Sequence, residues 1–303
     1  MKQHFSKPIF RESSLWGLVL MLTCVGIWSG CQTVPVTGRK QFLILPEHIE
    51  ITMGATAYDG LMAEEQLSRN QAAQAMVNRV GERIAAVSGR PDFEWEFRLI
   101  ESDQMNAFAL PGGKTAVYEG ILPVCQNEAG LAVVMSHEIA HALARHGGER
   151  MRDSTSIEAA QKALDYLTKD SDEFQQKFLL GLYGAGTKYG IALPNSRAQE
   201  AEADKIGLVL LAKAGYDPRE APGFWDRFAA MKSGDQPLEF LSTHPSDANR
   251  AASLRELLPN ALEYYEAAPV KYASGEMIDI PRSSGLIEQV GGVETDGAGG
   301  SGE

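Results

Sequence analysis

Cysteine is scarce in this chain: Cys24, Cys31 and Cys125 are the only three among 303 residues. That excludes a disulfide framework and a thiolate metal cluster, so any metal has to be held by histidines and carboxylates. Basic residues are also in short supply. With 28 Lys and Arg against 40 Asp and Glu the net charge is −12, which argues against nucleic acid as a partner. The N-terminal apolar run, Leu15 to Ile27, has thirteen residues, fewer than the roughly 20 that cross a bilayer as a helix. No internal repeat is visible. Hydrophobic residues make up 44% of the chain, enough to bury a sizeable core in one large domain or two small ones.

The N-terminus reads as a targeting segment. Lys2, Lys7 and Arg11 precede the apolar run, and Trp28-Ser29-Gly30-Cys31 resembles a bacterial lipoprotein cleavage box, with Trp28 where an aliphatic residue is usual. Residues 1–30 are therefore expected to be a lipoprotein signal peptide and Cys31 the lipid-attachment residue. An uncleaved anchor, or cleavage to a soluble secreted form, are the alternatives. Gln32 in place of Asp implies, by resemblance to lipoprotein sorting, the periplasmic face of the outer membrane and a membrane contact through the lipid. Cys125 is left as a small buried apolar residue.

After a linker to residue 46, helical spacing runs from about 47 to 87, with Met76, Val80, Ile84 and Val87 on one stripe and Pro91 ending it. Phe93, Trp95, Phe97 and Leu99 alternate with polar residues as a half-buried strand. A second extended piece, Asn106 to Leu110, turns at Pro111-Gly112-Gly113 into a third, Lys114 to Tyr118. A helix over about 128–146 is expected to end at Gly147-Gly148. Two further helices are suggested within 155–188, and Pro194 breaks the run. Ser196 and Gln199 form a capping box for a helix ending near Gly215, and Asp217-Pro218 starts another. Ser246 is a candidate cap for a helix reaching Leu258. The last twenty residues contain seven glycines and no apolar periodicity, so 281–303 is expected to be disordered. The expected fold is α+β and mostly helical, a zincin-like domain over 47–280 with a small sheet beside the central helix.

The chemistry is concentrated in Ser136-His137-Glu138-Ile139-Ala140-His141, an H-E-x-x-H. Positions i and i+4 of a helix share a face, so both imidazoles can grip one ion while Glu138 reaches a water without ligating. The metzincin extension is excluded, because Ala144 and Gly147 stand where it needs Gly and His. A catalytic zinc needs a third ligand and an open position. Glu200 and Asp204, one turn apart downstream, can supply a ligand and a carboxylate that orients a ligating His, with Glu202 directed roughly the other way. His146, five residues from His141, is expected to face away from the pair and to meet the last helical carbonyls.

These motifs, with Asn106-Ala107-Phe108-Ala109-Leu110-Pro111-Gly112-Gly113, Arg145-His146-Gly147, Ser196-Arg197 and Thr243-His244-Pro245-Ser246, resemble the gluzincin endopeptidases that include HtpX, the prenyl-protein protease and the Oma-type proteases. Pro35-Val36-Thr37-Gly38-Arg39 resembles their bacterial periplasmic lipoprotein branch. The resemblance implies one Zn2+ per chain held by His137, His141 and Glu200, with Asp204 behind a histidine and Glu138 as general base. It also implies a substrate strand at Asn106, Ala107 and Phe108. His244 would stabilise the oxyanion or take zinc's fourth position at rest, or else be an ordinary loop residue; Arg250 is a weaker oxyanion candidate. The implied activity is hydrolysis of internal peptide bonds in unfolded or misassembled cell-envelope proteins. The rival reading is a non-catalytic zinc-binding chaperone or assembly lipoprotein.

Overall fold

The computed structural model describes residues 31–153, 195–231, 240, 243, 244 and 249–279. The targeting segment, the helices expected within 155–188, the Pro194 break, the Ser246 cap and the Gly-rich tail lie outside the described residues. The described chain forms β1 (Cys31–Thr33), β2 (Lys40–Phe42), α1 (Glu47–Glu64), α2 (Gln71–Val87), β3 (Glu96–Ile100), β4 (Ala107–Leu110) and β5 (Lys114–Tyr118). It continues through the one-turn α3 (Leu122–Cys125), α4 (Glu128–Leu143), α5 (His146–Asp153), α6 (Arg197–Lys213), α7 (Glu220–Met231) and α8 (Arg250–Ala267). It is the mostly helical α+β arrangement expected, with small sheets. No described helix is long and apolar enough to cross a membrane.

The stretch read as continuous helix over 47–87 is two helices. Asn70 caps the second by accepting a hydrogen bond from Ala73 N. The expected strand over 93–99 begins only at Glu96, because Phe93, Trp95 and Phe97 form an aromatic stack with centroids 5.4 and 6.1 Å apart. Trp95 Nε1 donates to Arg90 O, which holds the stack in a turn rather than in the ladder.

The main sheet has the order β3-β5-β4, with β3 parallel and β4 antiparallel to β5. The β4–β5 turn uses Gly112 and Gly113 at φ 87° and 92°, conformations that L side chains avoid. Both faces are covered. Phe108, Leu110, Ala116 and Tyr118 pack with Tyr58 and Leu61 of α1, while Ala107, Ala109 and Val117 join the larger core around α4. Period-2 alternation therefore sorts residues between two cores rather than between core and water. The outer edge of β3 is closed by Gln74, whose side chain donates to Phe97 O and accepts from Leu99 N.

Helix α4 is the hub, buried from Glu128 to Leu143. Asn127 caps it, and two of its otherwise orphaned first amides, Glu128 N and Ala129 N, donate to Glu276 O and Ser274 O of the returning C-terminal segment. It ends earlier than Gly147-Gly148. Arg145 takes the left-handed conformation, φ 55°, and the two glycines fall inside α5. Helix α8 runs past the expected end at Leu258 to Ala267, with Pro259 inside it. Pro259 lies on the exposed side, where solvent can satisfy the stranded carbonyl, while Leu254, Ala261 and Tyr265 keep the buried stripe going.

Candidate metal centre

Helix α6 carries the second half of the site, and a glycine lets it come close. A Cβ on Gly207 would stand 3.1 Å from His137 N and 3.2 Å from His137 Cα. The Ser196 and Gln199 capping box, both hydrogen bonds present, fixes where α6 begins and hence which turn meets α4.

At that crossing four ligand-type side chains converge, all buried: His137, His141, Glu200 and His244. His137 Nε2 and His141 Nε2 are 3.1 Å apart. Glu200 splits its oxygens between them, Oε2 lying 3.3 Å from His137 Nε2 and Oε1 3.3 Å from His141 Nε2. His244 Nδ1 stands 3.1 Å from Glu200 Oε1 and 3.4 Å from His137 Nε2. Ligands about 2.0–2.1 Å from a tetrahedral ion are separated by about 3.3–3.4 Å along each edge, so these spacings are of the size such a site needs, and the imidazole and carboxylate donors suit zinc.

The charge states also favour a cation. Burial holds the His141 imidazole well below its usual range, hence neutral. Burial opposes ionisation of Glu200, but the facing His244, His141 and His137 hold its carboxyl well below the ordinary range. Glu138 is different. Burial pushes its carboxyl up to about 7, His244 opposing and Glu200 adding to the rise. Its Oε1 has no hydrogen-bond partner among the described residues and lies 3.5 Å from His244 Nε2. A carboxyl poised near neutrality beside such a cluster has the properties of a general base.

Asp204 Oδ1 is 3.1 Å from His137 Nδ1. Arg250 clamps Asp204 with two hydrogen bonds, Nε to Oδ2 at 2.8 Å and Nη2 to Oδ1 at 2.6 Å. It also puts Nη1 3.0 Å from Glu200 Oε2 and lies 3.5 Å over the Trp225 ring. Arg250 thus neutralises two buried carboxylates at once. His244 stacks on Phe240 with centroids 4.5 Å apart, and Asn195 Nδ2 is 3.3 Å from its Nδ1. Asn106 is buried with its side chain turned back onto Ala107 N. Ala107 faces the α4 core, and Phe108 points to the opposite side of the sheet.

One expectation fails here, and a second needs completing. His146 does not face away: the left-handed step at Arg145 folds α5 back, and His146 Nδ1 meets His141 Nδ1 at 2.8 Å. Glu202 points away from the four-residue cluster yet rejoins it indirectly, its Oε2 lying 3.0 Å from His146 Nε2. Reading α4 straight through residue 146 hid both contacts. Asn195, Phe240 and Trp225 carried no signal in the sequence that tied them to the site.

A buried helix offering two imidazoles one turn apart, with a carboxylate beside them and a second helix supplying another, defines a metalloprotease. The chain belongs to Peptidase family M48, which it matches over residues 71–258. It is similar to mitochondrial metalloendopeptidase OMA1 of Schizosaccharomyces pombe, 39% identical over 259 residues covering 83% of this chain and 73% of that protein. Against the Saccharomyces cerevisiae OMA1 the identity is 29%, covering 88% and 80%. The Escherichia coli beta-barrel assembly-enhancing protease is 30% identical over 230 residues, 74% of this chain and 46% of that protein. The chain is thus a metalloprotease, a hydrolase acting on protein.

The comparisons overturn the placement at the periplasmic face of the outer membrane. The yeast relatives, like those from cattle and humans, are mitochondrial by name, and the bacterial lipoprotein branch is not borne out. A basic start followed by a short apolar run is shared by more than one targeting route, so those residues do not decide the compartment.

Proposed function

We propose that the protein is a zinc-dependent endopeptidase in which His137, His141 and Glu200 hold one ion, Glu138 is the general base and Asp204 orients His137. The observation that carries this reading is the convergence of His137, His141, Glu200 and His244, each offering a ligand atom within 4.8 Å of the other three, with N···N and N···O spacings of 3.1–3.4 Å. Zinc, when bound, supplies Lewis acidity that activates a water and polarises the scissile carbonyl. Glu138 takes the proton of the attacking water and delivers it to the leaving amine. Substrate lies in extended form along β4, whose outer edge is paired with no strand among the described residues. By antiparallel alternation Ala109 directs its amide and carbonyl to that edge.

His244 occupies the fourth position of a resting site, supported by its place in the same cluster. His244→Ala is then expected to raise the hydrolysis rate of an unfolded substrate; a marked loss would assign it to the oxyanion instead. The clients are unfolded or misassembled proteins, a reading supported by the similarity to a protease named for enhancing beta-barrel assembly. The catalytic domain spans 47–280. Cys31 stays a proposal as a lipid-attachment residue, read by the mass of the N-terminal peptide. The decisive experiment is digestion of casein by the zinc-loaded chain and by Glu138→Gln. The variant should keep its zinc and lose about 10²–10⁴-fold in kcat. Full activity in the variant would remove Glu138 from the mechanism, and zinc binding without cleavage by either protein would favour the assembly-factor reading.

A further inference from the structure

His141 Nδ1 is held by a chain of side chains that ends far away in sequence. Glu202 Oε2 faces His146 Nε2 at 3.0 Å, and a carboxylate oxygen can only accept, so His146 carries its proton on Nε2. Its Nδ1 is then an acceptor for His141 Nδ1–H at 2.8 Å, which leaves the His141 Nε2 lone pair facing Glu200 and His137. Glu202 is itself gripped by the segment before α1. Thr37 Oγ1 donates to Glu202 Oε1 at 2.6 Å, and Arg39 Nε to Oε2 at 2.8 Å. The same guanidinium donates twice to Glu149 of α5, at 2.6 and 2.9 Å, so it ties together the helices that carry His146 and Glu202. The loop presenting these two residues is tight: Val36 and Gly38 have φ 66° and 69°, and Val34 N donates to Arg39 O. It is anchored on the end of α4 by Gln41 Nε2 to Ala144 O at 2.9 Å and by Arg145, which bonds Gln32, Leu45 O and Glu50.

We propose that the segment from Gln32 to Glu50, outside the residues matched to the family, is a working part of the metal site: Thr37 and Arg39 fix Glu202, which through His146 sets the tautomer and ring orientation of His141. This rests on the reading of His141 as a ligand. Thr37, Arg39, Glu202 and His146 are positioning residues, since none of them belongs to the cluster of His137, His141, Glu200 and His244.

The test uses the full chain. Zinc Kd is measured by competition with a chromophoric chelator, together with kcat, KM and the melting temperature of zinc-free and zinc-loaded protein. Removing a ligand's outer partner usually costs about 10–100-fold in metal affinity; Arg39→Ala and Glu202→Gln, which act on that partner, are each expected to weaken zinc binding by about 10-fold. The double variant should be no worse than Glu202→Gln alone, and Arg39→Lys should restore part of the affinity. Imidazole nitrogen shifts of the zinc-free variants should show His141 no longer protonated solely on Nδ1. Should Arg39→Ala fail to fold, Thr37→Val removes one hydrogen bond to Glu202 and is expected to weaken zinc binding less, but in the same direction. A segment that only stabilises the fold would lower both melting temperatures equally and leave zinc Kd within twofold of wild type; that result overturns the proposal. His141→Ala separates the two readings. Wild-type zinc affinity in that variant would sink the ligand assignment itself, whereas loss there with unchanged affinity in Arg39→Ala and Glu202→Gln would sink the positioning role alone.

Discussion

His137 and His141 sit one turn apart on the same buried helix, yet their second nitrogens are met by different means. On the His137 side the partner is a carboxylate one helix away, Asp204, itself clamped by Arg250. On the His141 side a neutral imidazole stands in that place, and the charge that orients it arrives from Glu202 and Arg39. The first arrangement is short, dry and shared between α6 and α8. The second is longer and reaches the half-exposed Arg39, whose side chain is 38% accessible. The two imidazoles, proposed as equivalent ligands, thus depend on very different amounts of the fold, and the two sides should fail differently when cut.

The largest difference is expected at Asp204. Asp204→Ala removes the bidentate partner of the buried Arg250 guanidinium, which keeps only the Glu200 carboxylate, so the loss is expected to approach the roughly 3–5 kcal/mol of a broken buried pair, and it removes the carboxylate beside the His137 ring. Urea denaturation of the zinc-free protein should show that loss, and chelator competition a zinc affinity about 10–100-fold weaker. A stability loss no larger than that of Glu202→Gln would erase the distinction between the two sides.

A smaller effect is expected where α4 and α6 touch. In Gly207→Ala the new methyl meets His137 backbone atoms, which cannot step aside as a side-chain end can. Overpacking costs about 1–3 kcal/mol, while replacing a helical glycine by alanine returns about 1 kcal/mol. Denaturation midpoints should therefore change little while zinc affinity falls, because the strain is delivered to His137, a proposed ligand. Equal changes in both would mean that the crossing supports the fold rather than the site.

The smallest effect is a pH dependence confined to the His141 side. Burial disfavours ionisation of Glu202, but hydrogen bonds from His146, Arg39 and Thr37 outweigh it and hold its carboxyl at about 2, against 4.5 when unfolded. A depressed carboxyl contributes fully above its unfolded value, and the contribution fades as pH falls from about 4.5 toward 2. Acid titration of zinc-free wild type should show that component, and Glu202→Gln should lack it. An identical acid profile would mean that the Arg39 clamp contributes nothing to stability.

Legibility in the sequence followed the range of the interactions. The β4–β5 turn at Pro111-Gly112-Gly113 and the capping box at Ser196 were readable because their signals lie within four residues of their effects. Strand β3 was read too long because alternation continues through Phe93 and Trp95, while a stack on Arg90 and a hydrogen bond to its carbonyl override it. The break between α4 and α5 was missed because the left-handed residue is Arg145 rather than one of the glycines beside it. Helix α8 was cut short at Pro259, since a proline's cost depends on which face it occupies and the burial of Ala261 and Tyr265 is invisible locally.

The sequence by itself determined that two imidazoles and a carboxylate share a buried helix with chemistry suited to a metal. The i, i+4 geometry of a helix is local and follows wherever the helix forms. Tertiary structure alone decided that Asp204 and Arg250 meet His137, that Thr37 and Arg39 reach Glu202 behind His146, and that His244 joins the cluster. Those contacts join segments from 44 to 113 residues apart at the His137 and His244 ends, and 165 apart where Thr37 meets Glu202. They exist only because α6 is able to approach His137 at Gly207 and Arg145 turns α5 back. A hydrogen bond tolerates only a few tenths of an ångström, and no local pattern specifies a position that finely across such distances.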